Sequence, residues 1–194
     1  RGSAQRLSGL VSDILDLSKL EGGMEMEAVA LDLAALARRA VEEAEWKASE
    51  KGVALALEVS ELLPRVSGSE RWLGVVVENL VTNAVKFSRQ GGTVAIRLAH
   101  KGEGVQVTVA DSGIGIPAAD QARIFEKFFR ASNRDMTGAP GTGLGLAICR
   151  HIVNRHGGRI WFESEEGRGT SFHFVVPTAK AGETAGRPPA ATGR

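Results

Sequence analysis

Asn79, Asn83 and Lys86 stand at spacings of 4 and 3, so on a helix all three project from one face. Two amides and an ammonium aligned this way suit magnesium and phosphate, because magnesium takes few protein oxygens and shares its shell with water and substrate phosphates. A solvated helix face would have the same spacing. Asp111 follows a run of alternating valines and precedes Gly113 and Gly115. A carboxylate at a strand end can accept from an exocyclic amine, and flanking glycines let backbone approach a flat ring. An Asx-capped turn is the plainer alternative. Gly141, Gly143 and Gly145 run into a helical pattern, where exposed amides and the helix dipole favour phosphate. The spacing is neither a P-loop nor a dinucleotide fingerprint. A glycine-rich linker is the competing reading, and an immediate helix start weighs against it. Together the blocks supply a metal ligand, a base-reading carboxylate, a phosphate cradle and a mobile cover, the parts an adenosine triphosphate site needs.

Other chemistries find little support. His100, His151, His156 and His173 lack ligand spacing with cysteines or acids, which argues against zinc. His151 and His156 fall at or near a helix end, where a favourable dipole interaction accounts for them. No Ser-His-Asp arrangement is evident. Cys149 sits in an apolar helical pattern and reads as a small buried hydrophobe of a reducing compartment. Trp46, Trp72 and Trp161 read as packing residues.

The elements that must position these groups follow from periodicity. Residues 4–20 read as a helix whose Leu7, Leu10, Ile14 and Leu17 form a seam, closed by Gly22-Gly23. Met24 to Val29 is a candidate short strand. Asp32 caps a helix running to about Lys51, ended by Gly52. Val53, Leu55, Leu57 and Val59 alternate as a half-buried strand, and Pro64 marks a turn. Ser69 caps a helix over 70–87 that carries the asparagines. Two strands around residues 94–98 and 105–109 join through Lys101-Gly-Glu-Gly104. Residues 120–128 read as a short helix, 131–142 as a mobile loop, and Leu144–His156 as a helix. Strands 159–164 and 169–177 complete an α+β, two-layer sandwich with helices on one face of a mixed, largely antiparallel sheet. Residues 178–194 read as a disordered tail.

The chain has 194 residues, 43% hydrophobic and 24% charged, enough for one good-sized core. A net charge of +1, with no basic stretch interleaved with aromatics, gives no nucleic-acid footprint. No apolar run approaches the ~18 residues of a membrane span. The first residue is Arg1, so a longer parent is expected, with a membrane segment upstream left open.

In order and spacing, Asn79–Lys86, Asp111–Ile116, Gly141–Leu146 and Gly167–Thr170 resemble the catalytic, ATP-binding domain of sensor histidine kinases, within the wider group of gyrase, Hsp90 and MutL. Ile124–Arg130 is similar to that family's phenylalanine block and Gly167–Pro177 to its closing strand, so the resemblance spans about residues 4–177. It implies the Bergerat-type fold and Mg-ATP as cofactor. Asn83 would ligate magnesium, with Asn79 supporting it, and Lys86 and Arg130 would meet the phosphates; Asn79, Lys86 and Arg130 form the implied catalytic set. Asp111 would take the adenine amine. Gly113, Gly115 and Ile116 would bound the ring, and Gly141, Thr142, Gly143, Leu144, Gly145 and Leu146 would cradle phosphate. Thr170 would reach the adenine side through water.

The resemblance also carries two departures. Related ATP hydrolases place a glutamate four residues before the magnesium asparagine; here Asn79 holds that position, and Glu78 lies about 100° round the helix. That suits a kinase passing phosphoryl to a protein. No histidine here is followed by an acid, and residues 4–20 resemble the end of the second dimerisation helix. The implied layout is a dimerisation remnant over 1–22, an ATP-binding domain over 23–177 and a tail over 178–194. The implied partners are a dimerisation helix carrying the acceptor histidine, a response-regulator receiver domain and a second copy in a homodimer, in the cytoplasm. A serine-directed kinase of the anti-sigma type and a nucleotide-gated interaction module remain open as alternatives.

Overall fold

A computed structural model describes residues 28–133 and 141–180 continuously, together with residues 11, 14, 15, 18 and 22. Strand β1 (Val29–Leu31) is followed by helix α1 (Leu33–Glu50) and strands β2 (Ala54–Val59) and β3 (Val66–Gly68). Helix α2 (Glu70–Phe87), strands β4 (Thr93–Lys101) and β5 (Gly104–Asp111) and the four-residue helix α3 (Ala118–Gln121) come next. Helix α4 (Gly145–Arg155) and strands β6 (Arg159–Glu165) and β7 (Gly169–Pro177) close the order. The main sheet runs β2-β4-β5-β7-β6, parallel only between β2 and β4. This is the expected two-layer sandwich.

Its core forms because each element presents one apolar stripe. Val94, Ile96 and Leu98 of β4 and Val105, Val107 and Val109 of β5 alternate inward with period two. Trp72, Leu73, Val76, Val77, Leu80, Val81, Ala84 and Val85 cover the inner face of α2 at helical spacing, every one buried. On α4, Ile148, Cys149, Ile152 and Val153 meet the same core. α2 therefore lies clamped between α1, α4 and the sheet, and only its remaining face can do chemistry.

Asp32 caps α1 as expected, accepting from the N–H groups of Ala34 (2.9 Å) and Ala35 (3.3 Å). Several expectations need correction. A second, two-stranded sheet pairs β1 with β3 antiparallel, and β1 starts at Val29 rather than ending there. Residues 24–27 lie outside the described residues. Ser69 occupies the N-cap of α2 without a side-chain cap bond; its own N–H donates to His156 Nε2 at 3.0 Å. The helix expected over 120–128 stops at Gln121 and continues as turns with i→i−3 bonds, Arg123 N–H to Asp120 O and Glu126 N–H to Arg123 O, until Phe128 with φ 63° donates its N–H to Gly143 O. Trp72 is buried, but Trp46 lies on the solvent face of α1 at 68% exposure. The described chain also stays tied past Pro177: Thr178 donates to Glu103 O and Ala179 to Arg65 O, each at 2.9 Å. Ser132, placed in the mobile loop, donates twice to Asp120, and residues 134–140 of that loop lie outside the described residues.

Val11, Ile14, Leu15 and Ser18 are helical, and the first three are about half exposed. Leu7, Leu10 and Leu17 of the expected seam lie outside the described residues. Among the described residues no helix is long and apolar enough to cross a membrane.

Candidate nucleotide site

A cavity of about 740 Å³ opens between α1, the outward face of α2, the end of β5 and the start of α4. That volume suits a ligand of drug or nucleotide size. Asn79, Asn83 and Lys86 all line it, as their spacing requires. Asp111, Gly115, Ile116, Arg130, Gly141, Thr142, Gly143, Gly145, Leu146 and Thr170 join them from segments far apart in sequence. Gly113 and Leu144 do not. Gly113 serves the wall rather than the cavity: a Cβ there would sit 2.2 Å from Phe87 O, and its N–H donates to Asp111 Oδ1 at 2.8 Å. The Leu144 side chain is fully buried in the core, so only its backbone belongs to the turn, held by Thr142 Oγ1 at 3.2 Å.

Asp111 ends β5 and pairs directly with Thr170 of β7. Burial pushes its carboxyl up to about 6, while N–H groups of Gly113 and Thr170 and the Lys51 ammonium oppose the rise. Thr170 Oγ1 lies 2.9 Å from Ser164 Oγ, which also accepts from Ile116 N–H at 2.9 Å. Ser164 thus links the carboxylate loop to the closing strands. A lone serine in β6 offers no sequence signal for that role.

Another part of the lining is cationic. Burial, then the nearby Arg130 guanidinium, bring Lys86 down to about 8. Its ammonium lies 4.8 Å from the Phe87 ring centroid. The two cations share one half-buried stretch of the cavity wall. Gly143 shapes this part: with φ 76° it turns the chain against Phe128, where a Cβ would meet backbone at 2.7 Å. Asn79 donates to Val75 O (3.1 Å), and a Cβ on Gly145 would lie 2.7 Å from its Oδ1. α4 therefore begins hard against the asparagine face of α2.

These features fit adenosine triphosphate. The lining brings together a buried carboxylate, a pair of cations, a helix start and backbone stripped of side chains where it approaches. Among the described residues no group of three or more His, Cys, Asp or Glu could hold a metal ion. A magnesium ion here would have to share amide oxygen with phosphates and water, which is its usual habit.

Lys51 is a residue that spacing did not single out. It closes α1, yet its Nζ donates to Val85 O (3.1 Å) and Lys86 O (2.6 Å) and lines the cavity. His156 also departs from expectation. Its Nε2 accepts from Ser69 N–H, so Nδ1 carries the proton and donates to Ile152 O at 2.7 Å. Burial lowers its affinity for a second proton. It is a neutral latch, not a cation at a helix end.

A two-layer sandwich whose strand ends and helix face enclose a cavity lined in this way defines a nucleotide-binding domain. Residues 68–180 match the histidine kinase-, DNA gyrase B- and HSP90-like ATPase family. The chain belongs to that family. It is 36% identical over 179 residues to the adaptive-response sensory kinase SasA of Crocosphaera subtropica, covering 91% of this chain and 46% of the relative. Full-length ShkA, solved in complex with AMPPNP, superposes with a TM-score of 0.81 at 34% identity, covering 93% of this chain and 38% of that one. The catalytic domain of histidine kinase ThkA gives 0.68 at 32% identity, over 80% of this chain and 97% of that one. ThkA has also been solved in complex with the response regulator TrrA; there the TM-score is 0.73 at 29% identity, covering 92% of this chain and 49% of that one. The chain spans less than half the length of SasA and of full-length ShkA.

Proposed function

We propose that this chain is the ATP-binding catalytic domain of a sensor histidine kinase, delivering the γ-phosphoryl group to a histidine on a dimerisation helix. The observation that carries the reading is the cavity wall, where Asp111 paired with Thr170 forms one part of the lining and Lys86, Arg130 and the start of α4 form another. Asp111 accepts from the adenine amine, and Gly115 and Ile116 border the ring. Lys86 and Arg130 offset the charge of the phosphates, and the backbone from Gly141 to Gly145 holds them in place. Asn83, supported by Asn79, would hold a magnesium ion, which supplies charge neutralisation between phosphate oxygens.

The bond that breaks joins the γ-phosphorus to its bridging oxygen, and the bond that forms joins that phosphorus to an imidazole nitrogen. Two of the chain's own histidines are poor nucleophiles for this step. His156 has both ring nitrogens engaged, and His173 places Nδ1 2.9 Å from Thr108 Oγ1 with Nε2 buried. We assign residues 1–22 to the end of a dimerisation hairpin, supported by the exposed apolar helical residues Val11, Ile14 and Leu15. The parent then works as a cytoplasmic homodimer and passes phosphate to a response regulator, as the complex of ThkA with TrrA suggests.

The test is incubation with γ-labelled ATP, with the dimerisation hairpin of the parent fused before Arg1 or added in trans. Acid-labile, alkali-stable label should appear on the added hairpin, more in the fused form because tethering raises effective concentration. Label on His100, His151, His156 or His173, or none on the hairpin despite bound nucleotide, would overturn the assignment.

A further inference from the structure

The last four carbonyls of a helix have no partner within it, so something else must take them. At the end of α2 all four are occupied. Ala84 O accepts from Ser88, through N–H at 2.9 Å and Oγ at 2.8 Å. Val85 O and Lys86 O accept from the single ammonium of Lys51, at 3.1 and 2.6 Å. Phe87 O accepts from Ile114 N–H at 3.2 Å. Lys51 reaches this place from the end of α1, and Ile114 from the loop that begins at Asp111. One helix end therefore fastens the adenine-side loop to the phosphate-side asparagine helix, with a cation at the junction.

Lys51 also faces the cavity that Asp111 lines. Asp111 has few other partners: N–H groups of Gly113 and Thr170 reach it, and its β4 neighbour is the apolar Val94. Lys86, at the end of α2, has its ammonium over Phe87 and next to Arg130. Lys51 is thus the cation whose field acts on the Asp111 carboxylate, and Asp111 in turn opposes the fall that burial imposes on the Lys51 ammonium.

We propose that Lys51 is a positioning residue for adenine recognition: by closing the Val85 and Lys86 carbonyls at the Asp111 side of the cavity, it holds the base-reading carboxylate in place and ionised. This inference rests on the nucleotide reading of the cavity. A lysine used only to cap a helix would strengthen the fold and affect all nucleotides alike. A lysine that keeps Asp111 ionised acts selectively on ligands that offer an amine to that carboxylate.

The experiment measures binding of Mg-ATP and of purine riboside triphosphate, which lacks the 6-amino group, by calorimetry from pH 5 to 8. Wild type, Lys51→Met and Lys51→Arg are compared. Lys51→Met should weaken ATP by about threefold or more at pH 5 and by little at pH 8, while changing the purine analogue by less than about twofold across the range. The acid limb of ATP binding should move up by about half a pH unit or more, since an opposing charge has been lost from a partly screened site. Lys51→Arg should keep the wild-type midpoint. Should Lys51→Met fold poorly, Lys51→Gln retains an N–H donor to the carbonyls without the charge, and the same upward shift is expected. Equal loss on both nucleotides, or an unmoved acid limb, overturns the proposal. A wild type that binds neither nucleotide overturns the reading of the cavity itself.

Discussion

Two buried polar clusters sit on α2, and they are built in opposite ways. At its N-terminal end the His156 ring satisfies Ser69 N–H with one nitrogen and Ile152 O with the other, and both its bonds are internal. Toward its C-terminal end Asp111 and Lys86, both lining the cavity, are half to mostly buried, each shifted toward its neutral form. The first cluster is complete and stabilises the fold. The second carries a cost in the free protein that the Gly113 and Thr170 N–H groups and Lys51 offset only in part. Where a domain leaves buried charge partly compensated in a cavity, that cavity is a candidate binding place.

The largest effect that would break this contrast lies at Asp111. Asp111→Asn should cost about 10- to 100-fold in ATP affinity, because a charge-assisted acceptor becomes a neutral one. The same change should raise the melting temperature of the free protein. The carboxyl is raised from 3.8 to about 6 in the folded state, so its stabilising contribution is full below 3.8 and is lost as pH rises through about 6. At pH 7 ionised Asp111 therefore works against folding by about 2–3 kcal/mol, and the amide removes that load. Calorimetric melting with and without Mg-ATP checks both halves. A variant that loses ATP and also loses stability would show Asp111 to be structural.

At His156 the expectation reverses. His156→Ala should cost about 1–3 kcal/mol by stripping the Ser69 N–H of its partner. Nucleotide affinity well below the melting temperature should stay within about twofold. Because burial depresses the folded-state affinity of His156 for protons, its contribution is present above the unfolded value of 6.5 and is lost as pH falls through and below it. Between pH 7.5 and 5.5 the melting temperature of the wild type should therefore fall more, or rise less, than that of His156→Ala. Some slope should remain, since His173 is shifted the same way and Asp111 acts in the opposite sense. An unchanged slope would remove His156 as the latch.

These contrasts also explain what was readable in advance. The motif residues announced themselves because their chemistry lies in local spacing: three polar groups on one helix face, an aspartate ahead of paired glycines, glycines ahead of a helix. The main sheet was legible because its strands alternate cleanly. β1 and β3 were misplaced or missed since three-residue strands are too short to show a period. Lys51 was missed and His156 misread because their roles depend on partners 34 to 87 residues away, which no window contains. Trp46 shows the converse, a large apolar residue that packing never required to be inside.

The smallest expected effect lies on the outer face of the sheet. Arg97 Nε meets Glu58 Oε2 at 2.9 Å with both side chains more than half exposed. Arg97→Ala should change stability by no more than about 1 kcal/mol and leave nucleotide binding alone. A larger loss would place a working element on the face opposite the cavity.

The most direct test of the account is calorimetric titration of the wild-type chain with Mg-ATP and with Mg-GTP. Guanine presents an oxygen where adenine presents its amine, so two acceptors would face each other at Asp111. ATP should bind about 10- to 100-fold more tightly than GTP, and Asp111→Asn should erase most of that preference. Equal affinity for the two nucleotides, or binding of neither, would contradict the assignment of this cavity.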